Sequence, residues 1–321
     1  MSAQSGSMSP AWAVRPATAA DLPELAALRG LRSAPTLPTT EHELLLVAAD
    51  PGTARLLASV RLRPAIGLTL PRCWYHVGCT VHAAAELQLF HRQRTLLLGN
   101  DHTGASELAD LAWAEHGLPL AEQAAALRGV VQTVLLAMAR SRTRYAPQLI
   151  AELPGLRDGA GQSPFWAGLG RHFYTGDPQD AEARHGAAWR SHVAALLPRH
   201  PVMASFLPAA AQAAIAQVAP EARLLRELLE ETGLRYGHHV TVDDGGPVLE
   251  ADLDALPAVT RSRVWATALG DGSGSPHLVM GHDLRALRAP ATAGGARLLL
   301  GAATLAALDL AEGDAVWALP L

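Results

Sequence analysis

Thr95-Leu96-Leu97-Leu98-Gly99-Asn100-Asp101-His102-Thr103-Gly104-Ala105-Ser106-Glu107-Leu108-Ala109-Asp110-Leu111-Ala112-Trp113 is the stretch on which the fold turns. The apolar run Thr95 to Leu98 and the run Leu108 to Trp113 predict two strands. Between them lies a turn that carries an acid, an imidazole, two hydroxyls and a second acid. A core strand would not tolerate so many polar groups without partners. Loops held between rigid elements are where ligands commonly bind. The alternative reading is a solvated turn with Asx-type capping.

Outward from this stretch, residues 121 to 142 lack proline, are rich in Ala and Leu, and predict a long helix. Upstream, residues 13 to 18 read as a strand. Thr18 is an N-cap for the next helix, with Asp21 at its third position and Leu22, Leu25 and Leu28 as its apolar stripe. Residues 44 to 49 and 56 to 62 read as a hairpin around Asp50-Pro51-Gly52. Residues 74 to 81 are a further strand, and residues 148 to 153 a strand after the long helix. This order predicts an α+β fold with a mainly antiparallel sheet flanked by helices.

Downstream, Ser163-Pro164-Phe165-Trp166 starts a helix with Pro in its first turn. Residues 187 to 211 read as helical, broken by Pro198, Pro201 and Pro208. A helix over 221 to 232 ends at Gly233. Residues 235 to 242 and 248 to 253 form a hairpin around Asp243-Asp244-Gly245-Gly246-Pro247. From Arg261 the chain is Gly-rich, with strands over 264 to 269 and 315 to 319 and a short helix within 298 to 307. The expected organisation is a disordered leader over 1–11, a main region over 12–255 and a small β-rich C-terminal subdomain over 256–321.

The chain has 321 residues, 49% hydrophobic and 17% charged, enough to bury a sizeable core. Its net charge is -4 and no basic block appears, which argues against nucleic acid as the main partner. Lys is absent, a compositional bias. No run of eighteen or more apolar residues predicts a membrane span. The polar, Ser-rich start is not a signal peptide, so a cytoplasmic location is expected. Cys73 and Cys79 are too few for a disulfide framework and are expected as reduced thiols. The scattered histidines show no metal-ligand spacing, so no metal is expected.

Several blocks now gain meaning together. They are Val14-Arg15-Pro16-Ala17 with Asp21; Val77 to Ala83 with Glu86-Leu87; Leu98 to Leu108; and Gly161 to Trp166 with Leu169-Gly170. Further along come Leu197-Pro198-Arg199-His200-Pro201, Gly233-Leu234-Arg235-Tyr236, Asp244 to Pro247 with Glu250, and Ser262-Arg263. In this order the chain resembles the arginine N-succinyltransferases, whose front half looks like the GNAT acyltransferase fold. The resemblance implies transfer of succinyl from succinyl-CoA, a co-substrate with no permanently bound cofactor, to the α-amino group of L-arginine or ornithine. It also implies a homo-oligomer or a pairing with a related sister subunit.

Aminolysis of a thioester needs a neutral amine, a polarised carbonyl and a proton for the leaving thiolate. By residue type His102 and Glu107 are the catalytic candidates, and the resemblance of this turn makes Asp101, Thr103 and Ser106 the acceptor-binding ones. Asp101 and Glu107 suit a guanidinium, which pairs with carboxylates in bidentate fashion; the plainer alternative is turn capping and pairing with Arg92 or Arg94. By the same resemblance, strand Leu108 to Trp113 adds to the pantetheine arm, with Leu111, Ala112 and Trp113 as cofactor-binding residues. The following loop and helix N-terminus hold the pyrophosphate. Two positions depart from the family. A family His proposed as proton donor is replaced by Ala219 in Gln217-Val218-Ala219-Pro220. The pyrophosphate loop, Gly117 to Ala124, lacks the family glycines and carries Glu122. A catalytically impaired partner subunit or an arginine-binding protein is therefore the alternative function. In an active enzyme, His102, His200 or His238 would supply the proton.

Overall fold

A computed structural model gives the fold and describes residues 12–29, 35–114, 118–186 and 188–321. The expected leader, 1–11, lies outside the described residues. The chain forms two compact units: Met1–Pro64 with Leu108–Tyr145 and Leu253–Leu321, and Ala65–Glu107 with Ala146–Asp252. Most strand pairs are antiparallel, and helices flank them, as an α+β reading requires.

In the first unit, strand Ala13–Pro16 pairs with Leu44–Ala49, which pairs in turn with Leu56–Arg63. Asp50 Oδ1 fixes the intervening turn by accepting from the Gly52 and Thr53 amides. Next to Leu56–Arg63 lies Ser106–Trp113. Within that strand Asp110 has φ 54°, a left-handed conformation that Asp tolerates better than most residues. Its carboxylate takes Arg29 and Arg61, each at 2.7 Å. Helix Leu120–Arg140 packs on strands Leu44–Ala49 and Leu56–Arg63 through a buried face that includes Leu127, Val130 and Val134. Gly129 lets the Trp12 ring lie on this helix, since a Cβ there would come within 2.4 Å of the ring.

The remaining strands of this unit are Arg263–Leu269, Ser275–Met280, Ala286–Gly294, Arg297–Leu300 and Ala315–Pro320. Ser275–Met280 pairs with both Ala315–Pro320 and Ala286–Gly294, so the five strands close on themselves. Closure removes exposed sheet edges and encloses Val279, Leu287, Leu298 and Val316. The expected division at residue 256 therefore needs correction. The C-terminal segment is β-rich, but it shares a unit with residues 1–64 and 108–145, and Val14 pairs with Ala286. Within 298 to 307 the chain is first a strand, drawn in by parallel pairing with Arg263–Leu269, and becomes helical only from Ala302.

The second unit's strands run in the order Gln148–Glu152, Pro247–Asp252, Arg235–Thr241, Trp74–Ala84, Leu89–Gly99 and Val202–Met203. Ser106 and Glu107 pair in parallel with Leu149 and Ile150. The strands expected at 74–81 and 95–98 are two arms of one longer hairpin, in unbroken register from Trp74–Gly99 to Ala84–Leu89. Its distal half is exposed on both faces, so no polar–apolar alternation marks it in the sequence. The segment 187–211 holds helix Ala188–Ala194, the short strand Val202–Met203 and the start of helix Ala209–Ala214. Ser163 caps helix Pro164–Gly168 by accepting from the Trp166 amide, and Gly233, at φ 114°, closes helix Arg223–Thr232. The core gathers Tyr75, Leu96, Phe165, Trp166, Trp189 and Val240. Among the described residues no helix is long and apolar enough to cross a membrane.

Candidate active site

The polar turn after strand Leu89–Gly99 folds back on itself, with the Thr103 amide donating to the Asn100 carbonyl and the Ala105 amide to that of His102. This turns His102 inward until it is 1% exposed. Its ring stands edge-on to Trp74 at 5.0 Å and to His239 at 4.3 Å between centroids. Glu250 Oε2 lies 3.8 Å from His102 Nδ1 and accepts from Gln148 Nε2 at 3.0 Å. Among the described residues neither His102 ring nitrogen meets full hydrogen-bond geometry, although the Gln148 side chain interacts with the ring. Burial, followed by the neighbouring His239, pushes the imidazole down to about 4, so it is neutral at pH 7.

His239 reaches this cluster because its strand is irregular. Along Arg235–Thr241, His239 pairs with Val248 but Tyr236 pairs with Leu249, so Gly237 and His238 are squeezed into a bulge. His238 has φ 62°, a strained conformation of the kind stored beside functional sites. Gly237 is needed for a second reason: a Cβ there would lie 2.0 Å from Glu250 Oε1. His239 Nδ1 lies 3.0 Å from the Gly237 carbonyl, which can only accept, so Nδ1 carries a hydrogen. Its Nε2 lies 3.2 Å from Asp101 Oδ2.

Beneath Trp74 runs a chain of charges. Arg72 makes a bidentate pair with Glu107 at 2.9 and 2.8 Å, and its Nη2 also donates to Glu152 at 2.6 Å. Glu152 accepts from Trp74 Nε1 at 2.6 Å and from Arg190 at 2.7 Å. Arg190 reaches Asp243 at 3.5 Å. Burial would raise the Glu152 pKa, but Arg72 and Arg190 outweigh it and hold the carboxyl well below the usual range. Asp243, less closely paired, is pushed up by burial to about 6.

Of the residues expected from sequence, Asp101 and His102 meet in this cluster. Thr103 is exposed on the turn. Ser106 is fully buried and its Oγ accepts from the Ala146 amide, a structural tie. Glu107 is 3% exposed and makes a bidentate pair with Arg72, so the structure places it in the charge chain under Trp74. The alternative partners are also corrected: Asp101 meets His239, Glu107 meets Arg72, and Arg94 donates to the Gln212 carbonyl. Leu111, Ala112 and Trp113 lie in the first unit, on the strand that carries Asp110, with Ala112 buried. Glu122 sits in the first turn of helix Leu120–Arg140; Gly117, in the expected loop, lies outside the described residues. His200 is exposed, and His238 turns away from the cluster to stack near Tyr236. Ala219 is buried, its amide donating to the Pro154 carbonyl. Sequence reasoning missed His239, Gln148, Arg72, Glu152, Arg190 and Asp243. The His238-His239 pair was the available signal, but regular strand alternation cannot say which of the two faces inward.

Beside the cluster opens a cavity of about 440 Å³, lined by Gln148, Arg235, Tyr236, Gly237, Glu250 and Asp252 among others. Burial pushes the Tyr236 hydroxyl up to about 12, which keeps it a neutral donor.

Residues 29–258 match the family model described as the arginine N-succinyltransferase beta subunit. The chain belongs to the arginine N-succinyltransferase family. The arginine N-succinyltransferases of Salmonella arizonae and Salmonella newport are each 35% identical to it over 292 residues, spanning 87% of this chain and 82% of theirs. A solved structure, the arginine/ornithine succinyltransferase subunit AI from Pseudomonas aeruginosa, superposes with a TM-score of 0.79 at 26% identity. It covers 97% of this chain and 99% of that one.

Proposed function

We propose that this member of the arginine N-succinyltransferase family transfers succinyl from succinyl-CoA to the α-amino group of L-arginine, with ornithine as an alternative acceptor, on a GNAT-like core. The polar cavity of the second unit carries the acceptor side of this reading. Glu250 and Asp252 line it with Gln148, the neutral Tyr236 hydroxyl and Arg235, two carboxylates against one resident cation. A guanidinium presents a planar fork of donors that a carboxylate accepts bidentately. Asp101 and Thr103, on the exposed turn, add polar contacts to the acceptor.

In the reaction the amine attacks the thioester carbonyl, a C–N bond forms, and the C–S bond breaks to release CoA as a thiolate. The ammonium must first lose a proton. His102 is neutral and can accept a proton, and Glu250 at 3.8 Å stabilises the imidazolium that results. A ring with so low a pKa is a weak base, so this proton passes onward to the thiolate, while the second proton, lost from nitrogen as the tetrahedral intermediate collapses to the amide, leaves to water. Glu107 serves by holding Arg72. The proposal that Leu111, Ala112 and Trp113 bind the pantetheine arm rests on the family resemblance. Residues 118–124 contain no basic side chain, so any pyrophosphate grip there relies on backbone amides. The Pseudomonas relative is a subunit of an arginine/ornithine succinyltransferase, which supports assembly with a second copy or a related chain.

A second reading, a non-catalytic partner or arginine-binding subunit, is favoured by Ala219, a buried position with no proton to give. Thiol release with succinyl-CoA and a panel of amino acids separates the two. Arginine-dependent CoA release is expected. Glu250→Gln should raise the KM for arginine by roughly 10- to 100-fold, the effect of one lost charged hydrogen bond. No release with any acceptor would overturn the transferase reading, and calorimetric binding of arginine in that case would support the second.

A further inference from the structure

We propose that His102, His239 and Glu250 form a site for one divalent transition-metal ion of the Zn²⁺ class, with water in the remaining ligand position. Two imidazoles and a carboxylate are a donor set that such ions accept. The three residues come from the turn after strand Leu89–Gly99, from strand Arg235–Thr241 and from strand Pro247–Asp252. One ligand atom from each lies within 4.8 Å of the others.

Three separate observations favour a ligand here over simple packing. First, His102 is 1% exposed, and among the described residues neither ring nitrogen meets full hydrogen-bond geometry, although the Gln148 side chain interacts with the ring; such a position is costly for a buried polar ring. Second, His239 Nδ1 donates to the Gly237 carbonyl, the kind of outer contact that orients a metal-bound histidine. That contact leaves Nε2 as the nitrogen that faces the cluster, 3.2 Å from Asp101 Oδ2. Third, the backbone is shaped around the cluster. The bulge at Gly237–His238 holds a non-glycine residue at φ 62° and turns His239 inward, while the missing side chain of Gly237 leaves room for Glu250.

Metal–ligand bonds of about 2.0–2.2 Å place tetrahedral donors roughly 3.3–3.6 Å apart, so the donors must close in by about an ångström. The Glu250 side chain, 31% exposed, has the freedom to do so. A bound ion takes the lone pair with which His102 would accept a proton, so the metal-loaded and transferring states exclude each other. The metal site does not depend on the transferase reading, because its test measures binding alone.

Protein stripped with a chelator and exchanged into clean buffer is titrated with ZnCl₂ in a calorimeter and with CoCl₂ in a spectrophotometer. One tight Zn²⁺ per chain is expected, with the intensified visible bands of low-coordinate Co²⁺. Glu250→Gln and His239→Gln should each weaken Zn²⁺ by more than the roughly 10- to 100-fold that loss of an outer contact costs. His76→Gln, at an exposed ring 5.1 Å from His239, is the control and should change little. Affinity unchanged in both ligand variants, or lost equally in the control, overturns the site. So does a Co²⁺ spectrum like that of the aqueous ion, which decides the matter on the unaltered chain even if a variant fails to fold.

Discussion

Glu152→Gln tests the charge chain under Trp74 with almost no change of shape. The Glu152 carboxylate accepts from Arg72 and Trp74 at 2.6 Å and from Arg190 at 2.7 Å, and only 15% of its side chain is exposed. At an effective dielectric near 20, each close pair of charges is worth about 4 kcal/mol in gross attraction. The cost of taking the carboxylate out of water offsets much of this, so the ion set contributes little net stability against an apolar substitute. Removing one partner is different, because the two guanidiniums stay buried. Arg72 then keeps Glu107, while Arg190 keeps Asp243, whose own pKa is already raised, and the attraction of Glu182. The expected loss is about 3–5 kcal/mol, the usual cost of breaking a buried ion pair. Trp74→Phe alone removes one charged hydrogen bond, about 1.5–3 kcal/mol. The double variant should fall short of the sum, because both changes act on the same oxygen. Urea denaturation gives the totals. Hydrogen exchange along strands Gln148–Glu152 and Pro247–Asp252 localises the loss to the second unit. A Glu152→Gln cost below about 1 kcal/mol, within the range of an exposed ion pair, would refute the reading that this network is buried and mutually dependent.

Gly237→Ala places a Cβ 2.0 Å from Glu250 Oε1 and forces the carboxylate to turn. Arginine KM should rise about tenfold, the cost of one misplaced charged hydrogen bond, with a smaller change in kcat; an unchanged KM would show that Glu250 does not face the acceptor. Asp21 is held down to about 2 by the bidentate Arg15, with Thr18 adding further hydrogen bonds. Because the folded pKa lies below the unfolded one, this pairing stabilises fully above about pH 4 and is lost as the pH falls towards 2. Arg15 is 31% exposed, so after allowance for solvent screening Asp21→Asn should cost about 1–2 kcal/mol at pH 7. Urea melts of both proteins should converge as the pH approaches 2, and a constant gap across that range would contradict the assignment.

Much of the backbone is legible from local signals. Asp50-Pro51-Gly52 marks its turn, Thr18 and Asp21 their helix start, and Gly233 its helix end, because each acts within a few residues. The Pro-free stretch behind helix Leu120–Arg140 is equally plain. The distal half of the hairpin Trp74–Ala84 and Leu89–Gly99 is not, because its residues bury nothing and show no periodicity. The closed five-stranded C-terminal sheet is also hidden, since closure depends on Ser275–Met280 finding two neighbours distant in sequence. In the site, Asp101 and His102 stood out because polar groups interrupt an apolar pattern. Glu107 stood out for the same reason, yet its task is to hold Arg72.

The sequence by itself determined the α+β class, the family and the polar turn at Asn100 to Glu107, because apolar spacing, capping residues and short motifs are read along the chain. Only the tertiary structure decided what that turn faces. The bulge at Gly237–His238 selects His239 over His238, and Gly237 makes room for Glu250. The sheet then brings these residues to His102, more than a hundred positions away in the chain. Strand register and the two residues squeezed into a bulge set which side of a sheet a side chain faces, and neither leaves a local trace in the sequence.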